Sequence, residues 1–470
     1  MAKPERITLQ TVKDRIVTAQ EREKLHERRR MAPSGLNKRL KIAVLGAGVT
    51  GLSASWLLSH AHEVTIFEQG DYAGGHSNTV EVEGPLGPIA VDTGFIVYNE
   101  PAYPNLTKLF EHLGVRTKPS EMTFAVSMAD GGLEYAGNDL FTLFAQKKNI
   151  VSPRFWSMLL DIRRFYAEAP SQIAQMEGMT LGDYLDMHRY GAPFREDHLY
   201  PMAAAIWSLP ARDVAAYPAR AFTRFCENHG LLKITGRPVW RTVEGGSREY
   251  VKKLTAPVGE RVLLNASVRR VTRADDGVVV EWSGGAQRFD HVVIAAHADQ
   301  ALRMLGDPSA EETRLLSRFR YSCNETILHG DAALMPRLRS IWSSWNYLAS
   351  GPDSPLCVTY WMNRLQDLSP STPLFVTLNA ITPPRDDLVS RRFVYEHPIF
   401  DLAAIDAQRE LWSLQGVRRT WFCGAYFGSG FHEDGLQSGL AVAEQLGGVR
   451  RPWTVENESG RIHVGPAPRA

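Results

Sequence analysis

The sequence has little of what marks several common classes of protein. Its 470 residues include only four cysteines, which stand far apart and form no CxxC pair. That spacing indicates neither a structural zinc site nor a disulfide framework, so we expect buried free thiols in a reducing cytosol. No uninterrupted apolar stretch approaches the roughly 18 to 20 residues that span a bilayer, and the N-terminus lacks the apolar core of a signal peptide. We therefore expect a cytoplasmic protein.

A large excess of either charge is also missing. The formal net charge is +1, so no overall basic field favours nucleic acid as a partner. The apolar fraction of 44% and the charged fraction of 22% are typical of a globular chain. Residues 1–40 differ, because residues 7–30 alternate charges at helical spacing and end in three consecutive arginines. We predict a basic N-terminal extension, either a solvated helix or an arm that binds a membrane surface or a partner.

A glycine cluster lies between two apolar runs in KIAVLGAGVTGLSASWLLSHAHEVTIFEQG, residues 41–70. Gly46, Gly48 and Gly51 form a GxGxxG pattern directly after a predicted strand and before a predicted helix. The first two glycines permit a tight turn and a close approach to a pyrophosphate, and the third lets helix and strand pack closely. Glu68 ends the second strand, where its carboxylate can accept hydrogen bonds from ribose hydroxyls. The pattern predicts a dinucleotide site.

A second glycine pair, Gly74 and Gly75, follows this acid within one short loop and is itself followed by His76. The pair gives a second close approach of the backbone to the phosphates. It resembles the GG motif of flavin amine oxidases, phytoene-type desaturases and protoporphyrinogen oxidases, which implies that the dinucleotide is FAD. Those proteins usually carry Arg or Lys where this chain has His76, so the resemblance does not carry over a fixed cation at the diphosphate.

The resemblance covers residues 41–450 and implies further cofactor contacts. The run DTG, which ends at Gly94, resembles the segment that leads the backbone past the isoalloxazine. Val268 matches the residue whose main chain holds adenine. Gly424 ends the strand of the C-terminal flavin motif. The residue after this glycine is often an acid in the family, whereas this chain has Ala425 there.

A final helix is predicted to begin near Asp434 and Gly435. The resemblance implies that this helix points at the flavin ring and that both residues belong to the cofactor site. Its unpaired N–H groups and partial positive charge would stabilise the negative charge of a reduced flavin. Asp434 is also a good capping residue for such a helix.

The resemblance implies an α/β fold, a Rossmann-type FAD-binding domain of the amine oxidase (GR2) kind, with an inserted mixed α+β substrate domain. We predict a discontinuous FAD domain, a substrate domain in the two intervening stretches and a short C-terminal tail. The corresponding residues are 41–103, 236–305 and 401–450 for the FAD domain, 104–235 and 306–400 for the substrate domain, and 451–470 for the tail.

The runs GGHSNTV, TYWMNRLQ and FCGAYFGSGFHEDGLQSG are similar to one bacterial subgroup, whose relatives accompany cyclopropane-fatty-acyl-phospholipid synthases. This similarity implies an FAD-dependent oxidoreductase that oxidises or desaturates a methyl-branched or cyclopropane-bearing acyl chain by hydride transfer to flavin N5. Two alternatives stay open at this point. One is an amine oxidase or a porphyrinogen or polyene dehydrogenase, and the other is a flavin-bearing accessory subunit of a lipid methyltransferase.

Candidates for polar chemistry lie in the flavin-facing motifs. His432 precedes the predicted final helix and can move a proton near neutral pH, or can simply hold the loop or the flavin by a hydrogen bond. Tyr98 follows the DTG run and is the second catalytic candidate. No metal site is expected, because His432 and its two acidic neighbours are adjacent in sequence and adjacent side chains rarely converge on one ion.

Residues 147–169 mix basic residues with aromatic ones such as Phe155 and Trp156 at helical spacing. Such a helix can lie on lipid headgroups, which would place the protein peripherally at the inner membrane with a lipid or small apolar substrate within reach. An ordinary amphipathic helix packed on the substrate domain explains the same pattern.

Overall fold

The computed structural model describes residues 39–351 and 354–466. The predicted basic extension of residues 1–40 lies outside these ranges apart from its last two residues. The strands are β1 (Lys41–Leu45), β2 (Glu63–Phe67), β3 (Thr79–Gly84), β4 (Gly87–Asp92), β5 (Tyr98–Asn99), β6 (Thr117–Ser120), β7 (Phe124–Met128), β8 (Leu133–Ala136), β9 (Trp240–Val243), β10 (Val262–Leu263), β11 (Val268–Ala274), β12 (Gly277–Trp282), β13 (Gly285–Phe289), β14 (His291–Ile294), β15 (Arg320–His329), β16 (Trp345–Ala349), β17 (Val358–Trp361), β18 (Phe375–Leu378), β19 (Val389–Ile399) and β20 (Thr420–Phe422).

Helices connect these strands. They are α1 (Val49–Leu58), α2 (Pro104–Leu113), α3 (Leu140–Leu143), α4 (Pro153–Glu168), α5 (Leu181–Met187), α6 (Ala192–Phe194), α7 (Tyr200–Trp207), α8 (Ala219–Asn228), α9 (Arg248–Thr255), α10 (Ala298–Met304), α11 (Ala310–Leu316), α12 (Met362–Leu365), α13 (Leu402–Glu410) and α14 (His432–Gly447). A π-helical turn at Arg195–Leu199 joins α6 to α7. Among the described residues, none of the helices has both the length and the apolarity needed to cross a bilayer.

Five parallel strands form the sheet that carries the glycine cluster. Their order is β10-β2-β1-β14-β20, so β1 lies at the centre between β2 and β14. All residues of β1 except Lys41 are buried, and so are the last three residues of β14. Continuous apolar strands of this kind are typical of a parallel sheet that is covered on both faces. Together with the β1–α1–β2 unit, the sheet confirms the predicted Rossmann-type α/β fold.

Five strands lie between residues 262 and 296, and the middle three form a small antiparallel sheet. β11, β12 and β13 pair antiparallel through tight turns at residues 275–276 and 283–284. Turn residues at these two points match the expectation for short hairpins. The strands before and after it, β10 and β14, belong to the parallel sheet, so this small sheet is an insertion between two strands of the parallel sheet.

A seven-stranded mixed sheet forms the second large layer. Its order is β19-β15-β18-β17-β16-β7-β8, and the β16–β7 pair is parallel while the other pairs are antiparallel. All seven strands come from the two stretches predicted to form the substrate domain. The helices α3 to α8, from residue 140 to residue 228, accompany this sheet. The domain boundaries themselves stay a prediction.

The last helix, α14, packs against α1 at very short range. A Cβ atom built on Gly439 would lie 2.4 Å from the Thr50 carbonyl oxygen and 2.7 Å from Ser53 Oγ. Glycine at this position lets the two helix backbones approach each other, as small residues do wherever helices cross closely. The contact fixes the end of the chain onto its first helix.

The segment that follows α14, predicted as a tail, also packs on the core within its described part. Arg451 is buried and donates to Glu444 and to the side chain of Asn105. Trp453 stacks on Trp56 of α1, with ring centroids 5.9 Å apart. Residues 451–466 therefore contribute to the packing around α1, α2 and α14.

Candidate functional site

A cavity of about 870 Å³ runs between the two large sheets. We call the part lined by the carboxyl ends of β1, β2, β14 and β20 and by the start of β11 the glycine arm. We call the part lined by side chains of β7, β8, β16, β17, β18, α4, α7 and α8 the aromatic arm. Phe95, Phe431 and His432 lie where the two arms meet. In open α/β sheets, ligands bind at the carboxyl ends of the strands, which is where the glycine arm lies.

The GxGxxG glycines have three different jobs. Gly46 has φ +104°, and a Cβ there would lie 2.6 Å from the Ala295 carbonyl oxygen. A Cβ on Gly51 would lie 2.0 Å from the Gly46 carbonyl oxygen, so this glycine permits the strand–helix packing that the sequence predicts. Gly48 lines the cavity, and a Cβ there would have no protein atom within 4 Å. The space beside Gly48 is therefore left for a ligand, as a bound pyrophosphate requires.

The second glycine pair lies directly against the first loop. The Gly74 amide donates to the Ala47 carbonyl at 2.8 Å, and a Cβ on Gly75 would lie 3.2 Å from the Gly48 Cα. Gly74 and Gly75 have φ values of +131° and +59°, which only glycine adopts readily. The structure thus brings both glycine loops together into one backbone-lined cradle for a diphosphate.

Glu68 closes this cradle on one side. Its Oε2 accepts from the Ala47 amide at 2.8 Å and its Oε1 accepts from the Gly70 amide at 2.8 Å. These two bonds fix the carboxylate at the cavity wall, and each oxygen keeps a further lone pair. That is the arrangement expected of an acid that accepts from ribose hydroxyls.

His76 provides a second test of how well a cofactor fits. The residue lines the cavity, yet its Nε2 atom is buried without a hydrogen-bond partner among the described residues. Buried polar atoms nearly always have partners, so an unpaired one beside a cavity fits a site whose ligand supplies the partner. Burial, with nearby His397, His297 and His432, holds the pKa of His76 well below its usual value. At neutral pH the ring offers a neutral hydrogen bond rather than a fixed cation.

Three further predicted cofactor positions line the same cavity. A Cβ on Gly94 would lie 2.4 Å from the His76 carbonyl oxygen, so the two backbones are pressed together here. Val268 begins β11, where a register shift before Arg270 interrupts the ladder beside the cavity. Such an irregularity is common where main chain serves a ligand. Gly424 lies at the end of β20, where its amide donates to Ser438 Oγ at 3.1 Å.

His432 lies at the junction of the two arms, at the start of α14. Its ring stacks on Phe95 with centroids 3.7 Å apart, and its Nε2 lies 3.0 Å from Ser77 Oγ and 3.1 Å from the Tyr250 hydroxyl. Burial lowers its pKa to about 3, so the ring is neutral near pH 7. Because Nε2 already contacts two hydroxyl groups, the geometry supports the hydrogen-bonding alternative of the sequence prediction better than proton transfer.

Asp434 and Gly435 do not lie where the sequence placed them, since neither residue lines the cavity. Asp434 Oδ2 accepts from the Phe431 amide at 2.8 Å, which is the capping role. A Cβ on Gly435 would lie 2.5 Å from Thr50 Oγ1, so this glycine faces α1 rather than a flavin ring. Phe431 and His432, at the start of α14, still line the cavity. The N-terminal end of the helix is therefore at the site, although Asp434 and Gly435 are not.

Tyr98 is also absent from the cavity wall. It is buried in β5, and its hydroxyl lies 3.5 Å from Thr117 Oγ1. Its ring packs edge-on against Phe110 and Tyr103. The structure does not bring Tyr98 together with the other predicted residues, because the two-residue strand β5 turns its side chain into the core.

Sequence reasoning missed His229, a buried residue at the end of α8 that lines the cavity near the junction. Its Nδ1 lies 2.8 Å from the Phe225 carbonyl oxygen, so Nδ1 carries the hydrogen and Nε2 carries the lone pair. The Nε2 atom has no partner among the described residues, and burial lowers the pKa to about 3. No motif marks this histidine, because its position depends on how α8 packs on Phe431.

The aromatic arm is formed by side chains from distant segments. Phe225 stacks on Phe431 with centroids 4.4 Å apart, and Trp207 lies 4.7 Å from Phe225. Farther from the junction, the Tyr135 hydroxyl donates to the Asp197 carbonyl oxygen and lies 3.1 Å from His198 Nδ1. The arm ends at Gly137, Asn138 and Arg237, which are exposed as well as cavity-lining, so the cavity opens to the surface there.

The parallel sheet, its two glycine loops and the acid at the end of β2 define an FAD-binding oxidoreductase. The chain belongs to the family described as flavin containing amine oxidoreductase, which matches residues 49–447. FAD is its cofactor. The residues of the glycine arm fit that group, as the open space at Gly48 and the unpaired Nε2 of His76 show.

Individual relatives agree with this assignment. The "Putative flavin-containing monoamine oxidase AofH" of Mycobacterium tuberculosis is 27% identical over 274 residues, 57% of this chain and 59% of that protein. A 15-cis-phytoene desaturase of Arabidopsis thaliana is 24% identical over 298 residues, 58% of this chain and 50% of that protein. The chain thus spans between half and two thirds of the length of these relatives. The structure of a CLA-producing fatty acid isomerase from P. acnes shares the fold, with a TM-score of 0.62 at 15% identity over 86% of this chain and 98% of that one.

Proposed function

We propose that the protein oxidises or desaturates a fatty acyl chain that carries a methyl branch or a cyclopropane ring. The observation that carries this proposal is the chemistry of the aromatic arm. Among the described residues that line the cavity, the carboxylates are Glu68 and Glu396. Glu68 belongs to the glycine arm, and Glu396 pairs with His297 beyond the end of β14 at 3.1 Å. The aromatic arm therefore offers an alkylammonium ion no carboxylate, whereas an apolar chain finds a suitable wall.

The mouth of the aromatic arm favours an anionic head group. Arg237 is the one permanently charged side chain among the described residues that line this arm. Its Nε donates to the Lys233 carbonyl oxygen at 2.7 Å, and no carboxylate of the described residues pairs with its guanidinium. Burial, together with this nearby positive charge, lowers the pKa of His198 to about 4. An acyl chain with its carboxylate or phosphate at Arg237 would extend inward along the aromatic side chains.

The main contributions of the protein are to position the acyl chain and to exclude water. Phe431, Phe225 and Trp207 form a continuous aromatic wall next to the glycine arm, which holds a saturated carbon in a dry environment. Bound FAD supplies the acceptor for the hydride that leaves the acyl chain. Loss of a proton from the neighbouring carbon completes a new C=C bond. We propose that Nε2 of His229 accepts this proton as the C–H bond breaks, because it carries a free lone pair beside that wall, and that the proton then passes to water, because the pKa of about 3 does not keep it on the ring.

Anaerobic reduction of the purified FAD-loaded protein tests the proposal. Phospholipids with methyl-branched, cyclopropane or plain monounsaturated chains are added in mixed micelles, and benzylamine and putrescine serve as amine probes. We expect loss of the oxidised flavin absorbance with a modified chain and, by mass spectrometry, a product with two hydrogens fewer. Reduction by the amines alone would assign an amine oxidase instead. Absence of reduction by every compound would favour the accessory-subunit alternative.

A further inference from the structure

Six large apolar side chains are exposed close together near the mouth of the aromatic arm. They lie on α3, on the 3-10 turn at Lys147–Val151 and on the outer face of α4, and they include Val151 at 80%, Leu140 at 75% and Phe141 at 74% exposure. We call this surface the apolar rim; its residues are Leu140, Phe141, Ile150, Val151, Trp156 and Leu160. Phe155, which the sequence pattern placed on a membrane face with Trp156, is instead buried in the core at 3% exposure.

Ring contacts, hydrogen bonds and helix caps hold the segments that carry the rim in place. Phe144, which follows α3, lies 5.5 Å from Trp156 of α4 by ring centroids, and Trp156 Nε1 donates to the Ile150 carbonyl oxygen at 2.8 Å. Asp139 and Thr142 form a capping box at α3, and Ser152 caps α4 through the Phe155 amide. Exposed apolar surface that is held in place in this way marks an interaction site.

Positive charge surrounds the rim. Residues 138–164 include five basic residues and two acidic ones. Arg154 is neutralised by Glu196 and Asp197, and Arg164 by Asp161. The other three basic residues, Lys147, Lys148 and Arg163, are exposed and pair with no carboxylate among the described residues. Apolar side chains flanked by unpaired cations complement an anionic lipid surface, in which the former enter the acyl boundary and the latter meet headgroups.

The rim also borders the opening of the cavity. Gly137 and Asn138 line the cavity and are exposed, and the next residues, from Asp139 onward, lead directly into the rim. Across the mouth, Ile234 and Val239 are exposed on either side of Arg237. A planar surface in contact with the rim would therefore face the mouth of the aromatic arm.

We propose that the apolar rim docks on an anionic lipid bilayer and holds the mouth of the aromatic arm against it. The occupant is the bilayer itself, since the rim joins apolar side chains to three unpaired cations and lies beside a cavity lined by apolar residues. The proposal concerns only membrane binding and does not depend on the proposed acyl oxidation.

Co-sedimentation of the full FAD-loaded chain with vesicles tests the docking. The wild-type protein should bind phosphatidylglycerol vesicles more tightly than phosphatidylcholine vesicles, and added salt should weaken this binding. The double variant Leu140→Glu with Phe141→Glu should lose it. A second variant, Lys147→Gln with Lys148→Gln, should reduce partitioning by about tenfold or more, given the energy of a basic residue at an anionic surface. Leu86→Glu is the matched control, because Leu86 is 98% exposed on the β3–β4 turn, outside the rim.

The region 1–38 is kept in every protein, so that its basic residues contribute equally throughout. Vesicle binding that is lost in the first rim variant, weakened in the second and kept in Leu86→Glu supports the proposal. The proposal would be overturned if the wild-type protein did not bind anionic vesicles, or if the rim variants bound them as the wild type does. Oxidation of the same acyl compounds in mixed micelles reports on the proposed function separately, since micelles deliver the chain without a bilayer.

Discussion

The two arms of the cavity are built by different means. The glycine arm is made of backbone, and its shape depends on positions where a side chain cannot or must not stand, such as Gly46 and Gly48. The aromatic arm is made of side chains from β7, β8, β16, β17 and β18 and from three helices. A backbone wall admits one kind of ligand and tolerates few substitutions. A side-chain wall can be changed residue by residue, so within one fold the cofactor is fixed by the first arm and the substrate by the second.

The largest expected effect is a loss of FAD affinity that occurs in a variant of the glycine arm and not in a variant of the aromatic arm. Gly48→Leu should lower FAD affinity by more than about 100-fold, comparable to the loss of about two charge-assisted hydrogen bonds. The fold should survive, because Gly48 has φ −70° and ψ 176°, which any residue adopts. Fluorescence titration of the FAD-free protein measures the change.

Gly137→Leu is the matched control in the other arm, where a Cβ would also meet no protein atom within 4 Å. It should leave FAD affinity unchanged and impair acyl oxidation. Equal FAD loss in both variants would contradict the division into two arms.

A second prediction concerns the unpaired Nε2 of His229. His229→Gln should slow acyl oxidation by about 100-fold, the lower range for removal of a general base. FAD occupancy and chemical reduction of the bound flavin by dithionite should stay at wild-type values, since His229 touches the aromatic arm. Single-turnover flavin reduction gives the rate, and an unchanged rate would exclude the proposed proton transfer.

Gly435 tests the corrected geometry of α14. Gly435→Ala should destabilise the FAD-free protein by about 1–3 kcal/mol through overpacking against Thr50 Oγ1. Adding Thr50→Ala should recover part of this loss, and a double-mutant cycle in urea measures the coupling. Additive losses would mean that the two residues do not share one contact.

The last prediction is a pH dependence of stability caused by one histidine at the junction and one in the aromatic arm. Burial lowers the pKa of His432 to about 3 and, with the Arg237 charge, that of His198 to about 4, below the usual value near 6.5. The unfolded chain then binds more protons than the folded one between these values and pH 6.5, so stability is complete above pH 6.5 and falls on acidification. Each histidine should contribute about 1.4 kcal/mol per pH unit in its window.

Urea midpoints of the FAD-free protein between pH 4.5 and 7 measure this slope. His432→Asn and His198→Asn should each remove about one proton's share of it. A slope that neither variant alters would show that these rings titrate alike in the folded and unfolded chain.

The glycine arm was largely predictable because its signals are local. A strand, a turn and a helix of fixed length place Gly46, Gly48 and Gly51 whatever the rest of the chain does, and Glu68 follows from the next strand. The α/β class rests on the same kind of short-range pattern.

The other site residues could not be placed from the sequence, because their positions depend on which side of a helix or strand faces the cavity. Gly435 and Asp434 were placed at the flavin because the end of their helix is there, but a helix turns each residue by 100°, and these two face α1 and the capping loop. His229 and Arg237 carry no motif, and they reach the cavity through packing between segments far apart in sequence. Tyr98 was misplaced for the same reason, because a two-residue strand gives no periodicity to read.

The contact between Gly439 and Thr50 has a consequence for how the protein is made. During synthesis the N-terminal part emerges first, and β1, α1 and β2 are complete long before α14 exists. The close-packing face of α1 therefore stays uncovered until α14 has left the ribosome. A nascent chain in this state exposes apolar surface and needs protection from aggregation, and the glycine arm itself is complete only when β20 has been made.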